Sequence, residues 1–127
     1  MNLVDSSALI EYCMGTAGGM RFATAIEDRV NLIVPSVVIY EVTKRLRKLF
    51  GEDEADEIVA EMTYGAAVIP LDAKLAISAA RISAQHNLAM ADAIIYATAE
   101  AHDATLWTQD EHFKNLPNVR YFPKTTS

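Results

Sequence analysis

The sequence predicts a three-layer α/β/α fold built on a parallel sheet. Three observations lead there: short runs of consecutive apolar residues recur, amphipathic segments of helical length separate them, and the runs lack the alternation of half-exposed strands. Strands joined by such helices need right-handed crossovers, which cover a parallel sheet on both faces.

Residues 2–4 form a short apolar strand that ends at Asp5. Residues 6–14 read as a helix opened by hydroxyl residues, which satisfy free N–H groups at a helix start. Gly15, Gly18 and Gly19 break the pattern, and helix is predicted again over 20–29. Leu32, Ile33 and Val34 form a buried strand that stops at Pro35 and Ser36. Residues 37–50 are amphipathic, with Val38, Val42, Leu46 and Leu49 as the core stripe and Gly51 as the stop. A second helix covers 52–64 and breaks at Gly65. A strand over 67–71, an alanine-rich helix over 73–86 and another helix over 91–102 follow. Strands over 104–108 and 119–122 complete the chain. With no repeat, low-complexity tract or linker, residues 1–127 are expected to form one domain.

Composition bounds the function. At 51% hydrophobic and 22% charged residues the chain is suited to a packed core. No apolar run approaches the ~20 residues that span a bilayer, and the first residues lack the basic start of a signal peptide. A lone cysteine, Cys13, excludes an intramolecular disulfide and is expected to pack against apolar groups. The cytoplasm is the expected compartment. A net charge of −6, from 17 acids and 11 bases, argues at first against a nucleic-acid partner. That objection weakens if several acids gather around cations, and Lys44, Arg45, Arg47 and Lys48 form a local basic cluster.

The acids carry the functional signal. In open parallel sheets, ligands bind at the carboxyl ends of the strands, where strand order reverses. Asp5 directly follows the first strand, and Asp110 lies two residues beyond the fourth. Glu41 sits within the first two turns of the helix after the second strand, bordering its core stripe. Asp92 begins a helix, where the dipole favours negative charge. Singly, such acids are usually caps or turn residues. Four independent caps, however, need not share one sheet edge.

The segments Val4-Asp5-Ser6-Ser7-Ala8-Leu9, Tyr40-Glu41-Val42, Ala91-Asp92-Ala93-Ile94-Ile95-Tyr96-Ala97-Thr98-Ala99 and Leu106-Trp107-Thr108-Gln109-Asp110-Glu111-His112-Phe113 resemble the successive blocks of PIN domains. The similarity is greatest to the VapC-type toxins of prokaryotic toxin–antitoxin pairs. It spans essentially the whole chain in order. The resemblance implies a parallel five-stranded sheet, Mg²⁺- or Mn²⁺-dependent endoribonuclease activity, homodimers and an antitoxin partner. It assigns the family's acids to Asp5, Glu41, Asp92 and Asp110, and its frequent hydroxyls to Ser6 and Thr108. Products with a 5′-phosphate and a 3′-hydroxyl are implied as well. Some relatives carry another polar or acidic residue two places after the last acid; here that residue is His112.

Four carboxylates suit this chemistry. Two of them ~4 Å apart repel by ~4 kcal/mol at an effective dielectric near 20, so a cation must enter or protons must be taken up. Oxygen donors without a Cys or His cluster indicate Mg²⁺ or Mn²⁺ rather than zinc. Such ions activate water and neutralise charge during phosphodiester hydrolysis. Asp5, Asp92 and Asp110 are assigned chiefly to metal; Glu41 binds through water or orients the nucleophile. Lys44, Arg45 and Lys48 are candidates for RNA phosphates, against the alternative of a solvated helix face.

Other features are expected to be structural. His86 and His102 read as helix-end residues, His112 as a surface or capping group, Trp107 as packed in the sheet and Phe113 as a core plug. Met14, Met20 and Phe22 suit either core or a partner-binding surface. A haloacid-dehalogenase-like reading fails because Asp5 is followed by Ser6-Ser7 rather than an Asp-x-Asp pattern, and a receiver lacks its strand-end lysine. The remaining alternatives are a non-catalytic PIN-like binding module, a DNA-directed nuclease and a PIN nuclease with a non-toxin role in RNA processing.

Overall fold

A computed structural model describes residues 1–125. Five parallel strands form one sheet in the order β3-β2-β1-β4-β5, with β1 Asn2–Val4, β2 Leu32–Pro35, β3 Ala67–Ile69, β4 Thr105–Thr108 and β5 Val119–Tyr121. β1 lies at the centre, paired with β2 on one side and β4 on the other. The chain first builds outward through β2 to β3, then returns to the opposite side for β4 and β5. The reversal therefore falls beside β1, and the crevice above its carboxyl end is where a ligand belongs.

Helices flank the sheet: α1 Ser6–Cys13, α2 Ala17–Met20, α3 Ala23–Glu27, α4 Ser36–Phe50, α5 Glu52–Thr63, α6 Ala73–His86 and α7 Met90–Ala101. Leu3, Val4, Ile33, Val34 and Leu106 are fully buried between the helical layers. On α4, Val38, Val42 and Leu46 recur one per turn and are completely buried. Leu49, the expected fourth member of that stripe, is 39% exposed in the final turn beside Gly51. Gly51, at φ +88°, lets the chain turn directly from α4 into α5. α7 is buried from Ala93 through Ala99 and lies deep in one layer. Among the described residues, no helix is long and apolar enough to cross a membrane.

The structure differs from expectation where local signals compete. In place of one helix over 20–29 stand α2, α3 and a 3₁₀ turn, Arg29–Asn31. α2 starts earlier because the Thr16 side chain caps it, accepting from Gly19 N at 3.0 Å. Gly19 sits so close to α1 that a Cβ there would collide with the backbone of Glu11 and Tyr12. The strand expected over 67–71 ends at Ile69 because Pro70 has no N–H for the ladder. β3 is an edge strand with Ala67 and Val68 exposed, so burial on both faces does not extend to it. α7 begins at Met90, which makes Asp92 a first-turn residue rather than a cap.

Cys13 is half-buried, with Sγ 3.9 Å from Met62 Sδ. Phe22 is buried and meets Phe122 edge-on at 5.3 Å, whereas Met14 and Met20 are exposed. The ring of Trp107 is buried in the sheet, its Nε1 donating to Asn2 Oδ1 at 2.9 Å and its face covered by Arg120 at 4.2 Å. Phe113 is completely buried. His102 lies just beyond α7 with Nδ1 3.0 Å from Thr98 O, and His86 ends α6 edge-on to Tyr96.

Candidate active site

Asp5 leaves the carboxyl end of β1 in an extended conformation and caps α1, its Oδ1 accepting from Ala8 N at 3.0 Å. Its other oxygen, Oδ2, accepts from the Thr108 hydroxyl at 2.5 Å. Asp5 is 3% exposed, and this burial pushes its carboxyl up to about 6. The bonds from Thr108 and Ala8 pull the other way, while the charges of Asp110 and Asp92 add to the rise. A capping role accounts for one oxygen of Asp5. It does not account for a buried acid facing two others.

Thr108, the last residue of β4 and itself fully buried, links two of the acids. While donating to Asp5, its Oγ1 accepts from Asp110 N at 2.9 Å. Asp110 opens the 3₁₀ turn Glu111–Phe113, with Oδ1 accepting from His112 N at 2.9 Å. The buried Phe113 ring anchors that turn, stacked on Tyr96 of α7 at 6.4 Å.

Asp92 projects from the first turn of α7 and is partly buried. Burial raises its pKa, and the charges of Asp110 and Glu41 add to the effect while His112 opposes it. Glu41, on the second turn of α4, accepts from the Ser6 hydroxyl at 2.6 Å through Oε1. Thus Asp5 feels Asp92 and Asp110, and Asp92 feels Asp110 and Glu41. The four acids named from the sequence lie on one sheet edge, with Ser6 and Thr108 as direct partners of two of them.

Two side chains stand out that the sequence did not place in the site. His112 Nδ1 lies 3.2 Å from Asp110 Oδ1 and 3.8 Å from Asp92 Oδ2, so the residue faces the acids and is more than a surface or capping group. Gln109, only 4% exposed, donates to Ser7 Oγ at 2.8 Å and ties the end of β4 to α1. A glutamine directly after an apolar strand was its only sequence signal.

The donor set suits a hard divalent cation. Among the described residues, ligand atoms of Asp92, Asp110 and His112 lie within 4.8 Å of one another, while Asp5 and Glu41 stand outside that group; burial first, and neighbouring acids second, raise the pKa values of Asp5 and Asp92.

Beside the acids runs a groove of about 600 Å³ between α1 and α4. Glu41 and Ser6 stand in its wall together with the predicted bases Lys44, Arg45 and Lys48. Lys124, which the sequence did not single out, lines this groove and also a second of about 500 Å³ containing Asp110 and His112. Cations thus flank the acids along the surface.

Comparison with known proteins agrees with this architecture. The family model of the PIN domain matches residues 3–119. A toxin–antitoxin complex from Klebsiella pneumoniae contains a chain that superposes with a TM-score of 0.80 at 21% identity, covering 98% of this chain and 100% of that one. The sarcin–ricin-loop-cleaving toxin VapC20 of Mycobacterium tuberculosis superposes with a TM-score of 0.77 at 18% identity, covering 97% and 100%. VapBC2 of Rickettsia felis, solved on a DNA fragment from its promoter, gives 0.73 at 15%, covering 96% and 97%. At these identities the likeness is one of fold. No curated protein sequence matches the chain.

Proposed function

Because this chain belongs to the PIN domain family, we propose that it is a divalent-metal-dependent endoribonuclease and the toxin of a toxin–antitoxin pair. The observation that carries the proposal is the gathering of acids at the carboxyl edge of the sheet, where Thr108 bridges the buried Asp5 to Asp110, Ser6 holds Glu41, and Asp92 approaches Asp110 through His112. Residues 1–127 act as one catalytic domain in the cytoplasm.

Asp5, Asp92 and Asp110 hold Mg²⁺ or Mn²⁺. When bound, the ion makes water more acidic and offsets charge developing on the phosphoryl and leaving oxygens. The chain's own groups supply position. Thr108 fixes one oxygen of Asp5 and the backbone N–H of Asp110, which sets the distance between β1 and β4 ligands. Ser6 holds Glu41 Oε1, so Glu41 can orient the attacking water and accept its proton through Oε2. In-line attack on phosphorus leaves a 5′-phosphate and a 3′-hydroxyl. Lys44, Arg45, Lys48 and Lys124 hold phosphates on either side of the cut.

Support for RNA as substrate comes from the fold shared with a toxin that cleaves the sarcin–ricin loop. Support for an antitoxin partner comes from the fold shared with chains solved in toxin–antitoxin complexes. The active form is a homodimer. The test incubates purified protein with end-labelled structured RNAs in Mg²⁺, in Mn²⁺ and in chelator, beside Asp92→Asn. Cleavage that needs the ion and disappears in the variant is the expected result. Cleavage that survives in Asp92→Asn, or in chelator, rejects the proposal; intact RNA under every condition favours a non-catalytic binding module.

A further inference from the structure

We propose that His112 is an inner-sphere nitrogen ligand of the metal, and that this donor gives the site a preference for Mn²⁺ over Mg²⁺. The inference rests on the reading of the acids as a metal site and concerns which ion they take.

The three side chains stand close enough to be drawn onto one ion. In six-coordination with bonds of ~2.1 Å, adjacent donors stand ~3.0 Å apart and opposite donors ~4.2 Å. His112 Nδ1 is 3.2 Å from Asp110 Oδ1, close to the adjacent spacing, and 3.8 Å from Asp92 Oδ2, between the two. All three residues offer ligand atoms within 4.8 Å of each other. Small side-chain rotations bring such a triad onto one ion.

The imidazole is also rooted rather than free. Its own backbone N–H donates to Asp110 Oδ1, and the next residue, Phe113, is locked in the core. The 3₁₀ turn therefore fixes the origin of the ring while its side chain remains 70% exposed, able to close on an ion arriving from solvent. A surface ion pair between His112 and the two acids is the competing account of the same distances. Such a pair gives the metal no nitrogen.

Donor chemistry turns this geometry into selectivity. Mg²⁺ favours oxygen and gives up its waters reluctantly, whereas Mn²⁺ accepts imidazole more readily. A nitrogen in the first shell raises Mn²⁺ affinity with little gain for Mg²⁺.

Electron spin echo envelope modulation of the Mn²⁺-loaded full chain reads the ligand directly. ¹⁴N coupling is expected in the wild type and in His86→Ala, and is absent in His112→Ala. The ratio of Mn²⁺ to Mg²⁺ affinity by titration calorimetry is expected to fall roughly tenfold in the same variant. His112→Asp, which offers oxygen instead, should bind Mn²⁺ without ¹⁴N coupling and with the lowered ratio, which separates lost nitrogen from lost folding. Mn²⁺ bound without ¹⁴N coupling, coupling that persists in His112→Ala, or an unchanged affinity ratio overturns the role of His112 alone. Failure of the wild type to bind Mn²⁺ overturns the metal-site reading together with it.

Discussion

Thr108 and Asp5 are joined by a 2.5 Å hydrogen bond between the carboxyl ends of adjacent strands, and the same hydroxyl oxygen receives the backbone N–H of Asp110. One buried threonine thereby fixes the separation of two acids that are 105 residues apart in the chain. The rest of the site is built outward from this pair.

Thr108→Val keeps the shape and removes the hydroxyl. The buried Asp5 oxygen loses its donor and Asp110 N loses its acceptor, so urea unfolding should show a loss of about 1–3 kcal/mol. Cleavage should fall roughly tenfold to a hundredfold, as for other groups that orient metal ligands. Thr108→Ser should recover most of both.

The pH dependence of metal-free stability should carry the signature of Asp5. Its carboxyl is pushed up to about 6 in the fold, above its ordinary value of 3.8, so the folded state favours the proton. The resulting stabilisation is present in full below the unfolded value and is lost as pH rises through about 6. Its ceiling is about 3 kcal/mol. Denaturant titrations in chelator should show wild-type stability falling from pH 4 to pH 6 more steeply than that of Asp5→Asn, and saturating Mn²⁺ should reverse the trend.

Asp110→Asn should separate activity from stability. The amide oxygen can still accept from His112 N, but the charge that adds to the effect of burial on the pKa values of Asp5 and Asp92 is gone. Metal-free thermal unfolding should shift upward, by up to about 1 kcal/mol, while cleavage falls at least a hundredfold. A variant less stable than wild type in chelator would mean that the acids do not repel as described.

The groove bases should govern salt dependence. Arg45→Ala and Lys48→Ala each remove one phosphate contact, and for single-stranded RNA each should reduce the slope of log affinity against log salt by about 0.7. Unchanged slopes would make these residues a solvated helix face.

Gly19→Ala tests the packing that supports α1. Its Cβ would meet the Glu11 and Tyr12 backbone, which cannot yield as a side-chain tip can, and a loss of about 1–3 kcal/mol should follow. Far-UV spectra should stay native, since the strain is local.

The sheet could be read from the sequence because apolar runs and stripes are periodic signals, and the same signals give the positions of three of the acids. Asp5 and Asp110 follow apolar runs, and Glu41 borders the Val38, Val42, Leu46 stripe, so each is placed by its own local pattern. His112 was not legible in the same way. Its approach to Asp92 depends on a 3₁₀ turn anchored by Phe113 against Tyr96, a tertiary contact without sequence period. Lys124 lies at the site in a segment that Arg21, over the rings of Phe22 and Phe122, helps to hold by donating to Pro123 O at 2.6 Å. The break between α2 and α3 was hidden for a related reason: the glycines that suggested a stop at 18–19 are helical, and Gly19 serves the close approach to α1.

Anomalous diffraction from crystals soaked in Mn²⁺ tests the central claim most directly. The account predicts a peak coordinated by Asp5, Asp92 and Asp110 at the carboxyl edge of β1 and β4, and no such peak in Asp92→Asn. A wild-type map in which the carboxylates stay apart and hold no Mn²⁺ would contradict it.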